Sequence, residues 1–345
     1  MEIKLKVEIK QNINFYEYDD FINKNKSSNF YHSKNHILFL KDLLKIEPYF
    51  IQVKKHDDIV GIMPFFLKKS KYGIVINSLP FFGSYGGIIK KEKCEKLILD
   101  ELNNFNQTND VISSVIIPSP FIQDESLYEN FFSYSFKEPR LIQSLNLTNK
   151  SEEDIWNSFE KRVRWSIRKS QQLNIQVSKT ELTNDVLDDF YQMHKKQIQT
   201  KGGKIKPIDF FTTVKNHFVL NRDYEVLCAN HNGKNISYLL TFYYKGFAEY
   251  YMPAYDSNSK NTQSTSLLIW YSIQSALKRQ IHFYNFGGTW KNQPELYRFK
   301  RGWNSNDLIY NYYIYCDLDR IKEIGIQELS KHYEFFYIIP YEKII

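Results

Sequence analysis

The spacing of hydrophobic residues along the chain alternates between strand and helix patterns and does so in the same order twice. Two β-hairpins are predicted, residues 49–55 with 59–67 around a His-Asp-Asp turn and residues 224–229 with 236–244 around an Asn-Gly turn. Each hairpin is followed by a further strand, a segment with helical spacing and a short apolar run typical of a buried strand. This repeated order predicts two related α/β domains that arose by duplication.

Length and composition agree with two domains and exclude several classes of protein. The 345 residues exceed the usual size of one domain, and 42% hydrophobic residues, with 17% aromatic ones, are enough for two cores. The three cysteines, Cys94, Cys228 and Cys316, are far apart and form no Cys-x-x-Cys pattern, which argues against a disulfide framework and against a metal site. A net charge of +7 suits polyanionic partners, but a chain rich in Lys, Asn and Ile becomes basic without selection for a ligand.

The hydrophobic pattern predicts neither a signal peptide nor a membrane-spanning segment. The segment MEIKLKVEIK alternates charged and apolar residues and lacks the apolar run of a signal peptide. The sequence also has no run of 18 apolar residues that would span a membrane. We therefore expect a cytoplasmic protein whose basic patches touch an anionic membrane surface at most peripherally.

A basic helix is predicted between the two repeats. Ser151 followed by three acidic residues is typical of a helix start. Apolar residues then recur every three or four positions and predict a buried stripe: Trp156, Phe159, Val163 and Ile167. Cations at helical spacing predict a second face: Lys161, Arg164 and Arg168. That face is either a solvated charged surface or a phosphate-binding surface.

The segment 281–303 is the strongest candidate for chemistry. It begins as an aromatic strand, breaks at Gly287 and Gly288, crosses a polar loop and continues through residues 297–303. A glycine pair lets a ligand or another strand approach the backbone closely. Lys300 and Arg301 lie between bulky aromatic residues, where charge is less screened than in water, and this suits an anionic ligand or a developing oxyanion. The alternative is a β-bulge whose cations lie at the surface of an edge strand.

Three segments carry a resemblance to a known family. They are the strand end Phe286-Gly287-Gly288-Thr289 with Phe299-Lys300-Arg301-Gly302-Trp303, the basic segment 156–169, and the loop 79–87 with its Pro-aromatic-Tyr-Gly-Gly pattern. In this order they resemble the FemAB-type acyltransferases, a tandem-GNAT family that includes peptidoglycan-bridge aminoacyltransferases. The resemblance spans most of residues 49–315. It implies an α/β (α+β) fold of two tandem GNAT-like domains, each a twisted mixed sheet flanked by helices. We expect the first domain at 1–145 and the second, with the basic helix and the Gly-Gly/Phe-Lys loop, at 146–345.

The resemblance also implies site residues. Lys300, together with Phe299, matches the pair that lines the family's reaction centre, and Lys300 is the expected stabiliser of the oxyanion. No general base stands out, and the candidates are Glu295 in the same loop and Glu249 and Asp256 near the adjacent strand. The remaining residues expected to bind substrate are Arg164, Arg168, Lys169, Tyr85, Gly86, Gly87, Gly287, Gly288, Tyr297 and Arg301.

The expected function is transfer of an aminoacyl or acyl group to an amine of a cell-envelope glycoconjugate, such as a peptidoglycan precursor, or of its nucleotide-linked precursor. Residues 255–266 match the place where GNAT enzymes grip coenzyme A but contain no glycine, which favours aminoacyl-tRNA over acyl-CoA as donor. We expect no bound cofactor, a phosphate-bearing acceptor and no stable protein partner. The alternatives are an acyl-CoA-dependent N-acetyltransferase or N-acyltransferase acting on an amino sugar or amino acid, and a non-catalytic nucleic-acid-binding protein.

Overall fold

The chain divides into two compact units. The computed structural model describes residues 5–82, 84–122, 124–290 and 292–344; Gly83 of the predicted Tyr-Gly-Gly loop and the first four residues of the N-terminal segment lie outside these ranges. Unit 1 comprises the chain up to Arg140 together with Ile309–Ile345, and unit 2 comprises Leu141–Leu308. The predicted division at 145/146 is close to the first junction. It differs at the other end, because the C-terminal segment folds with unit 1.

Unit 1 is built on a mixed sheet. Its strands, in spatial order, are β1 (Leu5–Lys10), β2 (Pro48–Lys55), β3 (Asp58–Ser70), β4 (Gly73–Asn77), β6 (Val111–Ile116) and β13 (Asn306–Cys316), with the short β5 (Ile89–Lys90) on β3. Its helices are α1 (Phe15–Lys24), α2 (Lys34–Leu44), α3 (Glu95–Thr108), α4 (Glu125–Phe131) and α11 (Leu318–His332). Neighbouring strands are antiparallel except β4 and β6, which are parallel and connected through α3. The apolar side of α3, with Ile98 and Leu102, packs on buried sheet residues such as Met63 and Phe65.

Unit 2 repeats this plan. Its strands, in spatial order, are β7 (Phe136–Asn146), β12 (Phe283–Thr289), β11 (Phe247–Tyr255), β10 (Lys234–Tyr244), β9 (Tyr224–His231) and β8 (Gln176–Lys179). Its helices are α5 (Glu152–Ser158), α6 (Lys161–Gln172), α7 (Asn184–Thr200), α8 (Asp209–His217), α9 (Ser264–Lys278) and α10 (Pro294–Arg301). Here β11 and β12 are the parallel pair and α9 connects them. Asn232 and Gly233, with φ of 54° and 80°, form the predicted hairpin turn.

The last strand of each repeat belongs to the sheet of the other unit. β7 follows α4 of unit 1 along the chain, yet Leu141–Asn146 pair with β12 of unit 2. β13 follows α10 of unit 2, yet its C-terminal residues pair with β6 of unit 1. The predicted duplication of a mixed sheet with helices is confirmed. Because of this exchange, the two compact units differ from the predicted domains at the C-terminal end, where Ile309–Ile345 fold with unit 1.

Two segments differ from the predicted local structure. The basic segment forms two helices, α5 and α6, because Phe159 is extended with φ −70° and ψ 148° and ends the first of them. Ser151 does form the expected capping box, with Asp154. Residues 294–301, expected as a loop and its exit, form α10, and Pro294 stands in its first turn, where a missing N–H removes no helical hydrogen bond.

None of the helices in the described part of the chain combines the length and the apolar character needed to cross a bilayer.

Candidate active site

The parallel strands β11 and β12 separate part-way along the sheet of unit 2. Their pairing runs over three residue pairs, from Phe247/Phe283 to Glu249/Asn285, and among the described residues no further pair joins them. The ladder of β11 with β10 also shifts register, at Tyr251. Backbone groups beyond the last pair need partners other than a neighbouring strand, so this opening is a place where a ligand can bind.

Lys300 is a buried cation beside this opening. Its side chain belongs to α10, the residue is only 3% exposed, and Nζ donates to the carbonyl oxygens of Gly287 at 2.9 Å and Gly288 at 2.6 Å. Burial lowers the pKa of Lys300 from 10.5 to about 7. An ammonium group has three N–H donors, and two of them meet carbonyls of the described chain, so the third is a candidate donor to a substrate oxygen. This arrangement can stabilise a developing oxyanion, and near neutral pH it also supplies a free amine.

The glycine pair leaves the backbone beside Lys300 open. Gly287 has φ +73°, and a Cβ built on it would meet no atom of the described chain within 4 Å. A Cβ on Gly288 would meet only the carbonyl oxygen of Leu141, at 3.8 Å. Packing within unit 2 therefore does not require Gly288 to lack a side chain. Its small size suits close approach of a ligand to the carbonyls that hold Lys300.

The three carboxylates considered as general bases lie in different environments. Glu249 is 3% exposed and lies at the last pair between β11 and β12. Asp256 forms an ion pair with Lys234 at 2.6 Å. Glu295 is exposed in the first turn of α10, where a negative charge is favourable to the helix dipole. Of these, Glu249 is the carboxylate buried at the opening.

Asn285 is a buried site residue that sequence reasoning missed. It is fully buried, and its Nδ2 donates to Glu249 Oε2 at 2.7 Å. The available signal was a polar amide inside an otherwise aromatic strand, two positions before the glycine pair. The hydrophobic pattern does not mark Asn285 as a site residue, because a single polar residue is common in a buried strand wherever its side chain is hydrogen-bonded.

The other predicted residues of α10 hold that helix in place. Phe299 is half-buried against the core of unit 2, with its ring 6.3 Å from that of Trp303. Tyr297 donates from its hydroxyl to Asp307 at 2.8 Å, and the Arg301 guanidinium lies 3.9 Å from the same carboxylate. These contacts fix the C-terminal end of α10. A role of Tyr297 and Arg301 in binding substrate stays a prediction.

Helix α6 packs against the end of α10. The backbone N–H of Glu160 donates to the carbonyl of Gly302 at 3.0 Å, and the Arg162 guanidinium donates to the carbonyl of Arg298. A Cβ on Gly302 would lie 3.0 Å from Arg162 Nη2 and 3.0 Å from Val163 Cγ2. Glycine in the Phe-Lys-Arg-Gly-Trp pattern is therefore explained by this close contact between helices.

Arg164 and Arg168 have different surroundings although both lie on α6. Nη1 of Arg164 donates to the carbonyls of Asn157 at 3.0 Å and Phe159 at 2.5 Å, which closes the end of α5. Arg168 is exposed, with its guanidinium 5.4 Å from the ring of Trp156, and it lines a groove of about 560 Å³ with that tryptophan. Lys169 is half-buried with its Nζ 5.1 Å from the ring of Trp165. Arg168 and Lys169 are thus better placed than Arg164 to reach a phosphate.

We expect Arg164→Ala to lower the free energy of unfolding by about 1–2 kcal/mol, because it removes a charged donor from the carbonyls at the end of α5. Arg168→Ala should change that free energy by less than about 0.5 kcal/mol, since it removes an exposed side chain. Urea unfolding of both variants measures the difference. Equal stabilities would contradict the capping role of Arg164.

The Tyr-Gly-Gly loop belongs to unit 1, whereas the residues described above belong to unit 2. Tyr85 is buried, with its ring 4.6 Å from that of Tyr31. A Cβ on Gly86 would lie 2.6 Å from Ser78 Oγ, and Gly87 has φ +105° with Tyr128 Oη 2.7 Å from its Cβ position. Packing within unit 1 therefore accounts for both glycines. Their predicted contact with substrate stays a prediction.

The segment that matches the coenzyme A loop forms a 3-10 turn, Ser257–Thr262, and leads into α9 through Gln263 with φ +59°. A cavity of about 400 Å³ lies beside it, between residues 255–258 and the C-terminal half of α7. Its lining is rich in charge: Lys196, Lys201, Lys234, Asp189 and Asp256. The excess of cations suits a phosphate-bearing ligand.

Residues 157–301 match the family described as acetyltransferase (GNAT) domain. The match covers the basic helix α6, the strands on both sides of the opening, and α10 with Lys300. Unit 2 therefore contains a GNAT acyltransferase domain, and the protein is an enzyme of the acyltransferase class. The alternative of a non-catalytic nucleic-acid-binding protein is not supported by this match.

Solved structures extend the likeness over both units. FemX shares 13% sequence identity with this chain, with 92% of this chain and 99% of that one covered and a TM-score of 0.71. A tandem GNAT protein from the clavulanic acid biosynthesis pathway shares 9% identity over 90% and 98%, with a TM-score of 0.54. The C-terminal domain of a putative lysylphosphatidylglycerol synthetase from Agrobacterium fabrum shares 8% over 92% and 96%, with a TM-score of 0.60. The tandem-GNAT fold is thereby confirmed, as is the resemblance to FemAB-type proteins.

No curated protein matches the chain in sequence.

Proposed function

We propose that this protein is an N-acyltransferase of FemAB type that moves an aminoacyl or acyl group from an activated donor to an amine of a cell-envelope glycoconjugate or its nucleotide-linked precursor. The observation that carries the proposal is the buried Lys300, whose Nζ lies beside the opening of β11 and β12 and donates to two carbonyl oxygens of the described chain. The third N–H of the ammonium would donate to a substrate oxygen. The resemblance of the motifs around it to FemAB-type transferases supports the aminoacyl form of the reaction.

In this mechanism the amine of the acceptor attacks the acyl carbonyl of the donor. Lys300 stabilises the negative charge that forms on the carbonyl oxygen, as an ammonium fixed before the reaction begins. The C–N bond of the new amide forms, the bond to the donor's leaving oxygen or sulfur breaks, and the amine gives up a proton. Glu249, the carboxylate buried at the opening, is the candidate acceptor for that proton.

Arg168 and Lys169 are proposed to bind the phosphates of the acceptor. The lysine-lined cavity beside the turn Ser257–Thr262 is proposed to take the phosphates of the donor, either tRNA or coenzyme A. Both donors are made in the cytoplasm, where we propose that the enzyme acts. Basic side chains on α6 would allow a peripheral contact with an anionic membrane.

The second candidate is an acyl-CoA-dependent N-acetyltransferase or N-acyltransferase acting on an amino sugar or amino acid. The family description, acetyltransferase (GNAT) domain, favours it. The absence of glycine from residues 255–266 favours the aminoacyl donor instead, since close approach of the backbone to a pyrophosphate commonly uses glycine.

A thermal-shift titration separates the two candidates, because a ligand that binds the folded state raises the melting temperature. The protein is titrated with acetyl-CoA, deacylated tRNA and a UDP-linked amino sugar, each at low and moderate salt. For the aminoacyl form we expect a shift of several degrees with tRNA and with the UDP-sugar, and none with acetyl-CoA. A shift with acetyl-CoA that persists at moderate salt, without one from tRNA, would replace the first candidate by the second.

A further inference from the structure

Two carbonyl oxygens that follow one another along β12 accept hydrogen bonds from the same ammonium. In a regular strand, successive carbonyls point in opposite directions, so one donor cannot reach both. Here Gly287 O and Gly288 O lie 2.9 Å and 2.6 Å from Lys300 Nζ. The backbone at Gly287 must therefore be turned out of the strand conformation.

The turn is a β-bulge with a defined structure. Against β7, the register of β12 shifts between Asn285, paired with Ser144, and Gly288, paired with Ile142. One extra residue is accommodated there, and Gly287, with φ +73°, takes the left-handed conformation that a bulge of this kind requires. The bulge is what brings both carbonyls to the side of α10.

Asn285 fixes this bulge from inside the core. Its Oδ1 accepts from the backbone N–H of Gly287 at 2.9 Å, and its Nδ2 donates to Glu249 Oε2 at 2.7 Å. A carboxylate only accepts hydrogen bonds, so Glu249 determines which end of the amide faces it and leaves Oδ1 for Gly287. Asn285 is fully buried and Glu249 is 3% exposed, so both bonds are protected from water.

We propose that Asn285, oriented by Glu249, is a positioning residue that holds the Gly287 bulge in the conformation that anchors Lys300 at the reaction centre. The significance of this role for catalysis rests on the proposed function, whereas the positioning of Lys300 does not. The distinctive feature is a chain of contacts from Glu249 on β11 to Lys300 on α10 that passes through Asn285 and then through the backbone N–H and C=O of Gly287 on β12.

The experiment measures the lysine directly and needs no substrate. The full chain is treated with an amine-reactive reagent, dinitrofluorobenzene, over a range of pH, and modification of Lys300 is followed by peptide mass spectrometry. The protein variants are Asn285→Ala, Asn285→Ser, and Asn106→Ala as the matched control. Asn106 is also buried but lies on α3 of unit 1. Circular dichroism and melting temperature establish that each variant is folded.

In Asn285→Ala we expect the pH midpoint of Lys300 modification to rise by at least one unit, because the released side chain reaches water and regains ordinary basicity. Asn285→Ser retains a hydroxyl that can accept from the Gly287 N–H, so its midpoint should lie between those of wild type and Asn285→Ala. Asn106→Ala should match wild type. If Asn285→Ala does not fold, the pH midpoint of Lys300 modification in Asn285→Ser is compared with that of wild type, and this comparison tests the positioning role of Asn285.

A folded Asn285→Ala, or a folded Asn285→Ser in its absence, with a midpoint within 0.3 units of wild type would overturn the proposal. Where the midpoint does move, an acyl-transfer assay on the same variants gives the catalytic consequence, with kcat expected to fall at least tenfold in Asn285→Ala. If the wild-type enzyme transfers no acyl group while the midpoint moves as expected, the proposed function fails and the positioning role stands.

Discussion

Replacing Lys300 with methionine should abolish most of the activity while leaving the protein more stable at neutral pH. Removal of one preorganised donor to an oxyanion lowers kcat by about 100–1,000-fold in well-studied enzymes, and Lys300 is the only cation that this structure places on the Gly287 and Gly288 carbonyls in the described chain. KM for the donor should change far less, because the lost interaction belongs to the transition state. Steady-state kinetics with the donor identified by thermal shift measures both.

The expected gain in stability follows from the pKa of Lys300. Burial lowers that pKa from 10.5 to about 7, so between these two values the unfolded chain binds the proton more tightly than the folded one. Below pH 7 the buried charge of Lys300 therefore lowers the free energy of unfolding of the wild-type protein by its full amount. This loss becomes smaller as the pH rises toward 10.5. A pKa shift of this size corresponds to a change of at most about 5 kcal/mol in the free energy of unfolding. Lys300→Met also loses two hydrogen bonds, so we expect its free energy of unfolding to exceed that of wild type by about 1–3 kcal/mol.

Lys215→Met is the matched control for this prediction. Lys215 is an exposed lysine on α8 of the same unit, so its replacement should alter neither kcat nor the melting temperature appreciably. Full activity in Lys300→Met would show that the oxyanion assignment is wrong. A Lys300→Met protein that melts well below wild type at pH 6 would show that Lys300 acts mainly as a structural link between α10 and β12.

The second large effect is expected at Glu225, where Glu225→Gln should lower the free energy of unfolding by about 2–4 kcal/mol. Glu225 on β9 is 1% exposed and accepts from Lys179 at 2.6 Å, from Arg279 at 2.7 Å and from Ser275 at 2.7 Å. Lys179 lies on β8, Ser275 on α9, and Arg279 directly after α9, so one carboxylate connects the edge of the sheet to the helix that covers it. Chemical denaturation of the variant measures the loss.

The lowered pKa of Glu225 should make the stability of unit 2 sensitive to acid. Burial acts to raise the pKa of Glu225, but the hydrogen bonds from Lys179, Arg279 and Ser275 outweigh it, and the pKa falls below 4.5. Its contribution to stability is complete above 4.5 and is lost as the pH falls through the lowered pKa. The difference in melting temperature between wild type and Glu225→Gln should therefore be constant above about pH 5 and shrink below about pH 4.

Glu129→Gln provides the control for Glu225. Glu129 forms an ion pair with Lys137 at 2.7 Å, but the two side chains are 35% and 40% exposed, and a pair of this kind contributes less than about 1 kcal/mol. An equal loss of stability in the two variants, or a difference in melting temperature that does not depend on pH, would show that Glu225 does not act through its buried charge.

The local chemistry of the chain could be predicted well where it depends on neighbours in sequence. Both hairpins, the helix between the parallel strands of each repeat and the break at Gly287 are consequences of spacing and turn residues. Lys300 could be selected because it stands between aromatic residues near a glycine pair. The split of the basic segment into α5 and α6 could not, since the apolar stripe continues in register across Phe159.

The roles of the cations depended on contacts that spacing does not reveal. Arg164 and Arg168 share a predicted face, yet Arg164 caps carbonyls of α5 and Arg168 lines an open groove. A guanidinium on a flexible side chain reaches whichever acceptors the fold brings near it, so two arginines of one periodic pattern have different surroundings.

The sequence by itself determined that this protein is a duplicated α/β chain and selected a cationic glycine-containing segment as its candidate site, because hydrophobic period, turn residues and charge next to aromatic residues act over a few positions. Only the tertiary structure decided which unit receives each final strand, and that Asn285 and Glu249 lie behind the bulge on which Lys300 is held. Strand partners and buried hydrogen bonds join residues far apart in the chain. They are selected by the packing of the whole unit, which no local pattern contains.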